Sequence, residues 1–195
     1  MKLYITDIEN ISLDRTNEIS SQRAEKVARY KKADDKRRCI AGGLFIKKFL
    51  GDEKISINSY GKPMAENGVF FNISHSGRYV IFAIANSPVG CDIEKVRVVS
   101  QKLGRIVFCD NELESIRISQ DKITTFFDLW TKKESLLKCI GEGFHKNSKS
   151  VDVSKNFATD NSIDYHFKLW HFSDYTIAVC SGSEDFPKDI EFISL

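Results

Sequence analysis

Two stretches of this chain place acids where they can share a cation. Val89-Gly90-Cys91-Asp92-Ile93-Glu94 reads as a strand, so Val89, Cys91 and Ile93 face one way and Gly90, Asp92 and Glu94 the other. Asp92 and Glu94 then stand about 7 Å apart at Cα, where repulsion favours a bound cation. Gly90 beside them leaves backbone room for a bulky ligand. The second stretch, Phe127 to Gly143, predicts a helix with a capping-box-like start at Thr125 and Asp128 and a stop at Gly141 and Gly143. Trp130, Glu134 and Lys138 recur four apart along one stripe, and Leu129, Leu136 and Ile140 form an apolar stripe beside it. A third element, Phe71-Asn72-Ile73-Ser74-His75-Ser76-Gly77, ends a strand in groups that offer donors to an anion. A fourth, Tyr60-Gly61-Lys62-Pro63, presents one lysine on a turn.

Each of these alone has an ordinary reading: a polar strand face, an ion pair between Glu134 and Lys138, a hairpin turn carrying a surface histidine. Three carboxylates together with lysines, arginines and an anion-friendly loop suggest Mg²⁺-assisted phosphoryl chemistry. Mg²⁺ takes hard oxygen ligands, one or two of them carboxylates, and fills its shell with phosphate and water. Spacing carries the reading no further.

The elements that must position these groups follow from periodicity. Residues 1–8 read as a strand. Ser20-Ser21 caps a helix to about Lys32, and Asp34-Asp35 opens a second that ends at Gly51. Strands are expected at 55–60, 69–74, 79–85 and 89–94, with turns at 61–63, 75–77 and 86–88. Helices resume at 111–119 and 125–140, and strands close the chain near 162–170, 175–180 and 190–193. The pattern is two α+β halves, 1–98 and 99–195, meeting at a seam near 95–105 without a low-complexity linker.

Composition bounds the class. With 195 residues, 42% hydrophobic and 29% charged, the chain suits one globular domain or two small ones, and it excludes wholesale disorder. Its longest clean apolar run, Tyr79–Ala85, is far short of a membrane helix, and residues 1–7 do not resemble a secretion signal. Five scattered cysteines with no C-x-x-C pair argue against a disulfide scaffold or zinc site and for a reducing cytoplasm. The net charge of +2 hides a basic segment, residues 22–48, with ten Lys/Arg against three acids. Such a segment suits a polyanionic ligand or is simply a solvated helix surface.

The motifs G-K-P (61–63), F-N-I-S-H-S-G (71–77), V-G-C-D-I-E (89–94) and W-T-K-K-E-S-L-L-K (130–138) occur in this order. Together they resemble the 4'-phosphopantetheinyl transferase superfamily, in particular its Sfp type, over nearly the whole chain from about Arg23. The resemblance implies an α+β fold of two similar halves, each with helices on a small, mainly antiparallel sheet, related as a pseudo-twofold monomer. It implies transfer of the phosphopantetheine arm of coenzyme A to a serine of an apo carrier protein of a peptide, polyketide or fatty-acid synthase. No nucleic acid or membrane partner is implied. Asp92, Glu94 and Glu134 match the acids that bind Mg²⁺ (or Mn²⁺), and Glu134 is also a candidate base. Lys138 matches the lysine near the pyrophosphate. Lys62, Ser74, His75 and Asp92 match coenzyme A contacts, and Arg23 and Lys26 match basic positions near its 3'-phosphate. Arg23 and Lys26, three apart, can share one helix face. Cys91 and Cys39 depart from the pattern, which has an aliphatic residue at the first and a ligand-contacting Thr at the second. The rivals are a non-catalytic coenzyme A or carrier-binding module, and another Mg²⁺-dependent phosphotransferase; the chain lacks the phosphate-cradling G-x-x-x-x-G-K-[ST] of many such enzymes.

Overall fold

The computed structural model describes residues 1–51, 54–142 and 147–195. Among the described residues, ten strands and five α-helices follow in order as β1 (Lys2–Asp7), α1 (Ser21–Arg29), α2 (Ala33–Leu50), β2 (Ile55–Ile57), β3 (Pro63–Ala65), β4 (Phe70–Ser76), β5 (Tyr79–Ala85), β6 (Val89–Lys95), α3 (Gln101–Val107), α4 (Asp110–Ile118), α5 (Lys122–Ile140), β7 (Phe157–Asp160), β8 (Ile163–Phe172), β9 (Tyr175–Ser181) and β10 (Glu191–Phe192). Two four-stranded sheets, in the orders β10-β1-β5-β4 and β6-β9-β8-β7, are each covered on one face by a long helix. All their pairings are antiparallel except the short β1–β10 contact.

The helix spacing in the sequence explains the first layer. Ile40, Ala41, Leu44 and Phe45 of α2 are buried against Tyr4, Val80 and Phe82, with the Phe45 and Phe82 rings stacked at 5.3 Å. In the second layer Phe126, Phe127, Leu129 and Leu136 of α5 pack on Tyr165, Phe167 and Cys180. The opposite faces of the two sheets meet in a third core that contains Leu3, Ile5, Ile81, Val89, Cys91, Ile93, Ile177 and Val179. Each sheet takes a strand from the other part of the chain: β6 hydrogen-bonds to β9, and β10 joins β1. The sheets therefore do not divide at residue 98. Such an exchange ties the two layers by backbone hydrogen bonds as well as apolar contact.

The edge strands β4 and β6 lie side by side. Asn72 Oδ1 accepts from the Cys91 amide at 2.9 Å, and Ser76 Oγ accepts from the Lys95 amide at 3.1 Å. Strand alternation then turns Ser74 and Ser76 of β4 toward Asp92 and Glu94 of β6.

Several expectations shift. α5 starts earlier than the Thr125–Asp128 reading, because Asp121 is its N-cap and accepts from the Thr124 amide at 3.0 Å. Thr125 instead gives its hydroxyl to the Asp121 carbonyl, and Asp128 pairs with His171. Gly141, with φ +84°, closes the helix as expected; Gly143 lies outside the described residues. His75 and Ser76 are not in a turn. β4 runs through them, and the reversal falls at Gly77-Arg78. α1 stops at Arg29, the strand expected over 55–60 ends at Ile57, and α3, β3 and β7 arise where no element is expected.

Candidate active site

At the junction of β4, β6 and α5 two side chains meet on one carboxylate and on each other. Ser74 Oγ donates to Asp92 Oδ1 at 2.7 Å, Lys138 Nζ donates to the same oxygen at 2.6 Å, and Lys138 Nζ also reaches Ser74 Oγ at 3.0 Å. Asp92 is buried, at 3% exposure, and among the described residues its other oxygen, Oδ2, has no hydrogen-bond partner. A buried carboxylate oxygen left bare is costly unless something outside the protein meets it. Glu94, next on the same face, accepts from Ser76 Oγ at 2.9 Å and lies 3.7 Å from Arg97. Glu134 sits one helical turn before Lys138 on α5.

The acids feel each other. Burial pushes the Glu134 carboxyl up to about 7, and the negative charges of Asp92 and Glu94 add to this against the pull of Lys138. Glu94 is also raised, by burial and then by Asp92. Burial works against the charge of Lys138, but the Asp92 carboxylate outweighs it and holds the ammonium above the usual lysine value. An oxygen-rich cluster with an excess of negative charge and one unpartnered buried oxygen fits a hard divalent cation. The three carboxylates do not close into a single shell: among the described residues, only Cys109, Glu112 and Asp152 bring ligand atoms all within 4.8 Å of one another. In that second group both Glu112 oxygens are already occupied, Oε1 by Lys133 Nζ at 2.6 Å and the Val153 amide at 2.8 Å, and Oε2 by the Cys109 amide at 2.9 Å.

The basic positions lie nearby in the first layer. Arg23 and Lys26 line a groove of about 610 Å³ with Gly43, Lys47, Gly61 and Pro63. Arg23 is half-buried there, gives one N–H to the Cys39 carbonyl at 3.3 Å, and is held below the usual guanidinium value by burial. His75 keeps an exposed edge; the protein around it and then the Arg38 guanidinium depress its basicity. Lys62 is turned away from the acid cluster, with its ammonium on the carbonyls of Cys139 (3.0 Å) and Val89 (3.4 Å).

A sequence model of the 4'-phosphopantetheinyl transferase superfamily matches residues 88–180, which hold β6, α5 and hence all three acids. The chain is 36% identical over 152 residues to 4'-phosphopantetheinyl transferase gsp of Aneurinibacillus migulanus, a match covering 72% of this chain and 64% of that one. It is 30% identical to 4'-phosphopantetheinyl transferase Sfp of Bacillus subtilis (strain 168), covering 100% of this chain and 98% of the other. A third relative, 4'-phosphopantetheinyl transferase ffp of Bacillus subtilis, is 29% identical over 90% of this chain and 88% of its own.

The chain belongs to the 4'-phosphopantetheinyl transferase superfamily.

In this transferase the structure brings Ser74, Asp92, Glu94, Glu134 and Lys138 to one junction and places Arg23 and Lys26 together in the groove. It does not bring Lys62 to the acids. Gly90 has a different task from the one its neighbours suggest. A Cβ there would lie 2.9 Å from Cys139 Cα and closer still to the Ser135 carbonyl and the Cys139 amide, so its bare backbone lets α5 sit directly on β6. Cys91 points into the inter-sheet core, away from the acids, and burial pushes its thiol up to about 12.

Sequence reasoning missed Ser76 and Asn72. The signal was available: Asn72, Ser74 and Ser76 recur every second residue, the period that places them opposite Cys91, Asp92 and Glu94. It also missed that Lys132 and Lys133 are structural. Lys133 forms a fully buried pair with Glu112, and Lys132 binds the Val153 and Lys155 carbonyls and Asn156 Oδ1. Both anchor the segment after the helix. Among the described residues, no helix is long and apolar enough to cross a membrane.

Proposed function

We propose that this transferase moves the 4'-phosphopantetheine arm of coenzyme A to a serine hydroxyl of an apo carrier protein and releases 3',5'-ADP. The observation that carries the reading is the junction itself: an unpartnered buried Asp92 oxygen beside two further carboxylates and the Lys138 ammonium. Asp92, Glu94 and Glu134 hold the divalent cation, Mg²⁺ by their hard oxygen chemistry, with Mn²⁺ as a substitute. When bound, that ion supplies neutralisation of the pyrophosphate charge.

The chain's own groups do the rest. Glu134, whose carboxyl burial raises to about 7, takes the serine proton in its ionised form as the serine oxygen bonds to the β-phosphorus. The bond from that phosphorus to the bridging oxygen breaks, and 3',5'-ADP leaves with the electron pair. Lys138, charged and anchored between Ser74 and Asp92, offers its remaining N–H to the phosphate oxygens on which charge builds. Arg23 and Lys26 grip the adenosine 3'-phosphate in the groove, and Ser74 and His75 border the coenzyme between groove and acids. One chain supplies every group named, which supports action as a monomer; the low demand on cysteine pairing supports a cytoplasmic setting.

The test is incubation with coenzyme A, Mg²⁺ and apo carriers from peptide, polyketide and fatty-acid synthases side by side, read by intact mass. Gain of one phosphopantetheine arm on the carrier serine is expected. Binding of coenzyme A or carrier without any mass gain would reduce the protein to a binding module.

A further inference from the structure

The last carbonyls of an α-helix have no partner within the helix, and they form the negative end of its dipole. In α5 that end belongs to the helix that carries Glu134 and Lys138. The Leu137 carbonyl is met by the Gly141 amide at 2.9 Å. Two others are met from far along the chain, by the turn between β2 and β3: Asn58 Nδ2 donates to the Gly141 carbonyl at 3.1 Å, and Lys62 Nζ donates to the Cys139 carbonyl at 3.0 Å. The same ammonium reaches the Val89 carbonyl at 3.4 Å, the first residue of β6, which carries Asp92 and Glu94. Asn58 holds the turn in shape: its Oδ1 accepts from the Tyr60 amide at 3.0 Å and the Lys62 amide at 2.8 Å, and its own amide bonds the Lys62 carbonyl at 3.0 Å. Gly141 completes the fit, since a Cβ there would meet Lys62 Cδ at 3.0 Å and its φ of +84° disfavours other residues.

We infer that Lys62, braced by Asn58, is a positioning residue of the transfer site, its ammonium fixing the helix that bears Glu134 and Lys138 against the strand that bears Asp92 and Glu94. The inference rests on the function proposed above for those four residues. It gives the lysine of the G-K-P turn a task that needs no contact with coenzyme A. A half-buried ammonium shared by two carbonyls is a charge-assisted, directional tie. Without it the end of α5 is free to shift on β6, and the carboxylates lose the spacing a cation requires.

Lys62→Met, Lys62→Arg and Asn58→Ala test this, with four readouts: hydrogen exchange at the amides of 137–141, the Mg²⁺ concentration that gives half of the thermal stabilisation, the Kd for coenzyme A in the absence of divalent ion, and kcat with KM for coenzyme A. Small misplacements of reacting groups cost up to about a hundredfold, so Lys62→Met should lower kcat by about tenfold or more, with faster exchange at 137–141 and a higher Mg²⁺ half-point. Its Kd and KM for coenzyme A should stay near those of the wild type. Lys62→Arg, which can still reach both carbonyls, should recover much of the loss, and Asn58→Ala should move the same readouts less far. A raised Kd for coenzyme A with unchanged exchange and Mg²⁺ response would make Lys62 a coenzyme ligand and overturn the inference. So would a lowered melting temperature with kcat per folded molecule and the Mg²⁺ half-point intact. If Lys62→Met does not fold, Asn58→Ala decides between the same outcomes. Absence of transfer by the wild type would remove the proposed function, while exchange and the Mg²⁺ half-point still decide the positioning role.

Discussion

Replacing Glu134 by Gln should change how stability depends on pH, and the size of the change follows from the crowding of the acids. The Glu134 carboxyl is raised from an ordinary 4.5 to about 7, first by burial and then by Asp92 and Glu94. A carboxyl that holds its proton more tightly in the folded state favours folding at low pH. Its contribution is complete below the unfolded value and is lost as pH rises from about 4.5 to about 7. At about 1.4 kcal/mol per unit that shift is worth about 3 kcal/mol, and screening of this half-buried group reduces it to about 2 kcal/mol. Gln keeps the shape and cannot titrate. In urea melts without divalent ions, the wild type should therefore lose about 2 kcal/mol relative to Glu134→Gln between pH 5 and pH 8. In a chain of this length that is about 4–8 °C in melting temperature. Mg²⁺ at pH 8 should return stability to the wild type, because an ion held by ionised carboxylates binds only the folded state, and it should do little for the variant. A difference between the two proteins that stays constant across this pH range would refute the reasoning.

Asp92→Asn retains an oxygen for Ser74 and Lys138 but replaces a charge-assisted bond with a neutral one, a loss of about 1 kcal/mol in the ion-free protein; thermal stabilisation by Mg²⁺ with coenzyme A should vanish, which melts with and without these ligands would show. Gly90→Ala forces a methyl into the backbone of α5 and should cost about 3 kcal/mol or more, at the top of the overpacking range, measured as a lower urea midpoint. Arg23→Ala with Lys26→Ala removes the two groove cations proposed to grip the 3'-phosphate, a charge-assisted interaction worth about 1.5–3 kcal/mol in all, so coenzyme A should bind about tenfold or more weakly by calorimetry while dephospho-coenzyme A is scarcely affected.

The sequence by itself determined the local elements that carry the chemistry. Alternation along 89–94 places Asp92 and Glu94 on one face and Cys91 on the other, and this holds because a strand's pleat has a period of two whatever it packs on. The helix's own period of 3.6 likewise places Glu134 and Lys138 one turn apart on α5, and the order of the four motifs is enough to recognise the family. Where local rules were weak, elements were lost. α3 has Gly104 at its centre and ends in Ile106-Val107, so its propensity is poor and tertiary packing must make it. The start of α5 was misplaced because Thr125 and Asp121 both suit a cap, and only the backbone path selects Asp121.

What only the tertiary structure decided is which polar groups face each other. Ser74 and Ser76 acquire meaning from β6 lying beside β4, an adjacency that no spacing along the chain contains. Gly90 read locally as room for a ligand, but that space is filled by the backbone of α5, from a helix whose contact residues lie more than forty positions away. Lys62 read locally as a lysine offered on a turn, and the fold gives its ammonium two carbonyls from two distant elements. Lys132 and Lys133 stand in the middle of the motif that carries Glu134, yet they point into the second layer and bind the segment after the helix. The reason is the same in each case. Periodicity fixes the direction in which a side chain leaves its own element, whereas its partner and the state of its charge depend on which element is packed opposite, and that is set by burial of the two sheets and their helices as a whole.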